Sequence, residues 1–218
     1  MFTRNTARGL SAAATIAAMC GAAHAAEFIV ANSGQLSIAM ATAVSGDVIT
    51  ILPAGSPYTQ FPGFSFANKQ LTIRGSTGNP ADAVLDGSGL DRVLSISGAG
   101  ADGTIVRDLT IQNGQGPSAN DSSGAGLYIN SANVTVEHCV MRNNVEPATD
   151  GNGAGLYATQ STLVLRNDRF ESNSTGTDGD GAGVYLNGSP TLFEDCVFDG
   201  NIAEPTLATS GSGGGAVW

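Results

Sequence analysis

From residue 124 onward, apolar and polar positions alternate with a period of two. In "GAGLYIN" Ala125, Leu127 and Ile129 fall on one face and Tyr128 and Asn130 on the other; in "VTVEH" Val134 and Val136 share a face. This alternation, rich in β-branched and aromatic residues, predicts short strands and no helix. The pattern then repeats. Gly-Ala-Gly begins at Gly124, Gly153 and Gly181, and a worn copy, "GGAVW", begins at Gly214, giving intervals of 29, 28 and 33 residues. A second column keeps step: "NVTVEHCVMRNN", "TLVLRNDRFESN" and "PTLFEDCVFDGN" end at Asn144, Asn173 and Asn201, 29 and then 28 residues apart. The gaps from each asparagine to the next Gly-Ala-Gly are 9, 8 and 13, so the long third interval is a single loop insertion. Two columns in lockstep, with variation confined to one loop, indicate stacked turns.

Short strands joined by glycine-rich corners, with no helical stretch between them, predict an all-β solenoid of parallel strands. Earlier segments fit the same coil: "GDVITILPAG", "KQLTIRGS" and "RVLSISG" each supply a strand, and "GTIVRDLTIQNG" superposes on "NVTVEHCVMRNN" with Ile111 over Met141. Ahead of them, Leu36, Ala39, Met40 and Ala43 share one helical face, with Asn32 or Ser33 as N-cap and Gly46 as stop. A solenoid leaves an apolar, unpaired end that needs a lid, and this helix is the expected one. The expected organisation is a leader at 1–25, a cap with helix at 26–46 and the coil at 47–218. Because "SGSGGGAVW" stops in mid-strand by this register, the coil is expected to continue in a longer protein.

Composition sharpens this outline. Basic Arg4 and Arg8, an apolar stretch from Leu10 and the Ala23-His24-Ala25 site read as a secretory signal cleaved after Ala25, which implies a secreted, periplasmic or cell-surface protein. The apolar part is too short for a membrane span. Without Arg4 and Arg8, 7 basic residues face 19 acidic ones, a net charge near −12 that repels nucleic acid. Beyond the leader only Lys69 and His138 represent their types, which argues against a Ser-His-Asp triad or a multi-histidine metal site.

Equivalent positions of successive turns stack about 4.8 Å apart, so each column is a ladder. Asn144, Asn173 and Asn201 are expected to bond to one another and to the corner backbone, and Met141, Phe170 and Phe198 to fill the core. Cys139 and Cys196 share a column with Asp168 between them; two turns, about 9.6 Å, is too far for a disulfide, so two free, packed thiols are expected. Tyr128, Tyr157, Tyr185 and Trp218 form an aromatic column. It either presents a stripe that binds sugar rings or a protein partner, or stacks on itself for stability. Asp121, Asp150 and Asp178, with Asp180, are corner turns or a Ca²⁺ site. Glu137, Arg166 and Glu194 alternate in sign, as an exposed ladder requires. Arg142, Glu171 and Asp199 are the candidate catalytic set. Their two carboxylates lie about one rung apart, a spacing suited to glycosidase chemistry, and the arginine is of a kind that acts in a lyase.

The helix followed by "GDVITILPAG", "LDGSG" and "VRDLTIQNG", and then the later turns, resembles the right-handed parallel β-helix of the pectate-lyase-like superfamily over residues 28 to 218. The last three turns also resemble the repeats of polymorphic outer-membrane proteins, which pair GGA-[ILV] with F-x-x-N; here "GAGLY" pairs with "MRNN" and "FESN", and "GAGVY" with "FDGN". The chain departs in having Ala-Gly where Gly-Ala is usual, and Met141 for the first phenylalanine. These resemblances imply a right-handed single-stranded parallel β-helix with an N-terminal capping helix. They host two functions: an adhesin-like module binding a polysaccharide or a cell-surface protein, and a lyase or glycoside hydrolase acting on acidic polysaccharide, with Ca²⁺ or a Lys/Arg base. The near-identical turns favour the first, because they build a long repetitive surface and no unique pocket.

Overall fold

The computed structural model describes residues 25–116, 123–204 and 215–218. The expected leader up to residue 24, Asp121, Gly214 and most of the loop insertion after Asn201 lie outside them. Every strand pairing is parallel, and the strands form four sheets that run along one coil axis. The seven-stranded sheet consists of Glu27–Val30, Val48–Ile51, Thr72–Gly75, Thr104–Arg107, Val134–Glu137, Leu163–Arg166 and Thr191–Glu194. The six-stranded sheet consists of Tyr58–Thr59, Val84–Asp86, Thr110–Gln112, Val140–Arg142, Arg169–Glu171 and Val197–Asp199. The five-stranded sheet runs from Phe64–Ala67 through Leu94–Ser97, Leu127–Asn130 and Leu156–Thr159 to Val184–Asn187. A three-stranded sheet of Val145–Glu146, Ser174–Thr177 and Ile202–Glu204 joins late in the coil.

The register matches the sequence columns rung for rung. Met141 pairs with Phe170 and Phe170 with Phe198; Tyr128 pairs with Tyr157 and Tyr157 with Tyr185. The predicted inward face is the core: Ala125, Leu127, Ile129, Val136, Met141 and Phe170 are all fully buried. The first strand, Glu27–Val30, lies within the segment expected to be only a cap. It pairs with Val48–Ile51 and so belongs to the coil itself.

Three corners per turn let the chain change direction, and each uses a left-handed residue just before an inward side chain. One corner has Asp108, His138, Asn167 and Asp195, with φ between 52° and 58°. Another has Asn113, Asn143 and Ser172 at 52–53°. Asparagine and aspartate tolerate this conformation because their short polar side chains bond locally.

After the second corner the asparagine ladder points inward. Asn173 Oδ1 accepts from the backbone N–H and the Nδ2 of Asn144, at 3.1 and 3.0 Å. Its own Nδ2 donates to Met141 O at 2.9 Å and to Asn201 Oδ1 at 2.8 Å. Asn144 repeats the scheme one turn earlier, accepting from Gly114 N and donating to Ile111 O. Both are fully buried, so every polar atom of this wet-looking column is satisfied within the dry interior.

The ladder also explains Gly-Ala-Gly. The first glycine turns the corner at positive φ, 63° at Gly153, and the alanine fills the core. A side chain on the second would meet both ladder and neighbour: a Cβ on Gly155 would lie 2.5 Å from Gly183 O and 3.1 Å from Asn173 Nδ2.

The helix spans Ser33–Thr42 and buries Leu36, Ala39 and Met40 on the open end of the coil. Asn32 is its N-cap, with Oδ1 accepting from Gln35 N, while Gln35 Oε1 accepts from Ala31 N, one residue ahead of the cap. The helix ends at Thr42, with Ala43 as C-cap, short of the expected stop at Gly46. Gly46 instead begins the first corner, where its N–H donates to Gln70 O. Lys69 closes the helix C-terminus, its Nζ donating to Met40 O, Ala41 O and Ala43 O. A cation on those orphan carbonyls is the favourable end of the helix dipole.

Two substitutions test the interior. Asn173→Ala strands buried donors and acceptors on both neighbouring turns and should cost about 2–4 kcal/mol in chemical denaturation. Gly155→Ala should also lower the midpoint, whereas Asn143→Gly, at an exposed left-handed corner, should be neutral or mildly stabilising.

Candidate functional site

On each strand of the six-stranded sheet the middle residue points inward, so the flanking residues form two outward rows. One row reads Thr59, Asp86, Gln112, Arg142, Glu171 and Asp199 in direct register. The expected set of Arg142, Glu171 and Asp199 therefore occupies three consecutive rungs. Its chemistry is already partnered. Arg142 Nε donates to Gln112 Oε1 at 2.9 Å, and Glu171 is held by Arg169 from the adjacent row at 2.6 Å. Sequence reasoning passed over Arg169 because its own column, with Val140 and Val197, carries no charge elsewhere.

A groove of about 240 Å³ runs over these residues, lined among others by Asn79, Thr110, His138, Arg142, Arg169 and Glu171. His138 stands at its edge. It is a left-handed corner residue, and its side chain is exposed while that of the next residue, Cys139, is buried. Its Nδ1 lies 2.8 Å from Asp108 Oδ1. The superposition of the two turns sets Asp108 over His138, at equivalent corners one turn apart.

On the opposite side the aromatic column is present in full. Tyr128, Tyr157, Tyr185 and Trp218 stack with centroids 5.5, 5.3 and 4.8 Å apart and interplanar angles of 2°, 3° and 6°. Arg92 extends the pile, its guanidinium 4.1 Å from the Tyr128 centroid while Nε and Nη2 donate to Gly124 O and Ser123 O. Neighbours thus cover both faces of Tyr157 and Tyr185, and sugar rings stack on faces. What those tyrosines offer outward is ring edges and hydroxyls. Burial pushes the Tyr185 phenol up, assisted by Tyr157 and Asp180.

A family described as "right handed beta helix region" matches residues 91–216. The chain belongs to this right-handed β-helix family. No curated protein and no solved structure matches the chain.

In this β-helix the aspartate row sits on a corner before Gly-Ala-Gly. Asp150 and Asp178 take left-handed φ values of 62° and 61°, and Asn152 links the corner backbone, donating to Asp150 O and accepting from Asp180 N. Asp121 is outside the described residues. Among those described, no group of three or more His, Cys, Asp or Glu converges as metal ligands, and no helix is long and apolar enough to cross a membrane.

Among the described residues, the thiol column holds the one carboxylate strongly perturbed by burial. Cys139 and Cys196 are free, and their Sγ atoms lean on Val106 O and Leu165 O. Asp168 lies between them, fully buried, with Oδ1 accepting from Cys139 N at 2.8 Å and Oδ2 bonded to nothing among the described residues. Burial raises its carboxyl to about 7, and two backbone N–H groups pull it back only partly. The folded state therefore prefers the protonated acid. The stability this gives is full below the unfolded value near 4 and is lost as pH rises through about 7. The β-helix should lose up to about 4 kcal/mol between pH 4 and 8 from this residue. Asp168→Asn, which keeps the oxygen facing Cys139 N, should flatten that slope in denaturation measured across pH.

Proposed function

We propose that this β-helix is a secreted or cell-surface binding module of adhesin-like kind, which holds a glycan or a protein partner without transforming it. One observation carries the reading: the reactive-looking side chains of the outer face are tied to neighbours. Arg169 is spent on Glu171, Arg142 leans on Gln112, and the chain's single lysine, Lys69, closes the helix. Export rests on the leader-like residues 1–25. The likeness of the last three turns to polymorphic outer-membrane protein repeats supports display at a surface.

A second reading, a polysaccharide lyase or glycoside hydrolase of the pectate-lyase-like kind, draws on the same groove. There His138 is oriented by Asp108 beside Arg142, Arg169 and Glu171, an arrangement able to accept a proton and hold an anionic group. A Ca²⁺ for such an enzyme would have to come from the row of Asp121, Asp150, Asp178 and Asp180. The described part of that row does not converge on one point, so no step is assigned to a metal.

The two readings part in one experiment. The intact protein should bind immobilised glycan or cell-surface protein while releasing no ultraviolet-absorbing unsaturated ends from pectate or alginate, with or without Ca²⁺. Turnover that disappears in Arg142→Ala or His138→Ala would establish the enzyme instead.

A further inference from the structure

The side of the coil beyond the charged groove carries a second trough. Two depressions, of about 440 and 220 Å³, share Ser88 and run together along the corner that follows the six-stranded sheet. The larger falls within the roughly 300–1,000 Å³ usual for ligand clefts. Asn113, Gln115, Gln60 and Ser88 line the pair with amides and a hydroxyl, and Phe61 and Leu90 stand at one end. These two apolar side chains are 72% and 65% exposed, the highest values among the large hydrophobic residues here other than Ile38 on the helix.

No described residue lining either depression is ionisable, although the chain carries a net charge of −10. The carboxylate of Asp86, just ahead of the lining residues Gly87 and Ser88, is turned into the scaffold. Asp86 Oδ1 accepts from Ser88 N, and Oδ2 accepts from Gln112 Nε2 and Asn113 Nδ2, each at 2.7 Å. Asp86 thus positions two of the lining residues and spends its charge on amide donors. The floor is also fixed by backbone, with Gly87 N bonded to Gln112 O and Gly89 N to Asn113 O. A fixed, uncharged surface with both donors and acceptors suits hydroxyl groups, which do both. A uronate or sulfate would find no cation there and would meet the field of an acidic protein. The free face of Phe61 also supplies what the stacked tyrosines withhold.

We propose that this trough binds an uncharged polysaccharide, with Phe61 as the stacking platform and the Asn113, Gln115 and Asn143 amides reading its hydroxyls. The inference deepens the binding reading above and rests on it. It is tested by retention of the full chain on immobilised neutral glycans (β-glucan, unsubstituted xylan and mannan) against polygalacturonate, at low and high salt. Neutral glycan should be retained, with little change on adding salt. Phe61→Ala should weaken retention about tenfold or more, and Asn143→Gly should weaken it too. Ile38→Ala, on the helix, should leave it unchanged. Denaturation midpoints confirm that each variant is folded. Neutral glycan held equally well by Phe61→Ala overturns the trough. Salt-sensitive retention of polygalacturonate alone also overturns it while leaving a binding module standing, whereas retention of nothing, with new product released, overturns both.

Discussion

Everything in this molecule depends on the hydrogen bond between one turn and the next. Parallel strands donate and accept along the coil axis, and the asparagine ladder continues that bonding through the corner where the strand pattern breaks. Asn173 meets four kinds of partner, and Asn144 and Asn201 on either side of it three each, so the corner holds its register without β-structure. The glycine opposite, as at Gly155, leaves room for the amide to lie flat against the neighbouring backbone. Once turns are locked at this spacing, each sequence column becomes a row in space, and core, stack and outer face follow.

The surface chemistry reflects the same geometry. A ladder places like positions within contact, so charge must alternate, be neutralised, or be left out. Arg166 and Glu194 pair along one row, Arg107 leans on Glu137 in the same row, and Arg169 meets Glu171 across two. Asp168 breaks the rule, sitting where its column otherwise places leucine or cysteine, and its raised carboxyl is the result. The amide-lined trough follows the third course and leaves charge out altogether.

The late turns were legible because the chain states their spacing more than once. Repetition identified the inward face, the asparagine ladder and the free thiols. It could not tell which way the aromatic rings would lie: period two says that Tyr157 is outward, and only the rung spacing shows its faces taken. Gly46 looked like a helix stop because glycine often is one, yet Lys69, 23 residues further on, closes the helix through contacts no local pattern encodes. The trough was silent for a different reason. Phe61, Ser88 and Asn113 come from early turns whose loops differ in length, so no column aligns them. His138 and Asp108 do superpose one turn apart, but their column runs on through Asn167 and Asp195, so the residue type changes from rung to rung and no repeated motif marks the pair.

A coil in which each turn touches mainly the one before and the one after has no keystone. Mechanical load along the polypeptide would peel it a winding at a time, releasing slack in parcels of about 28–29 residues in the regular part. Such a body yields gradually under tension and can rewind from the windings that remain.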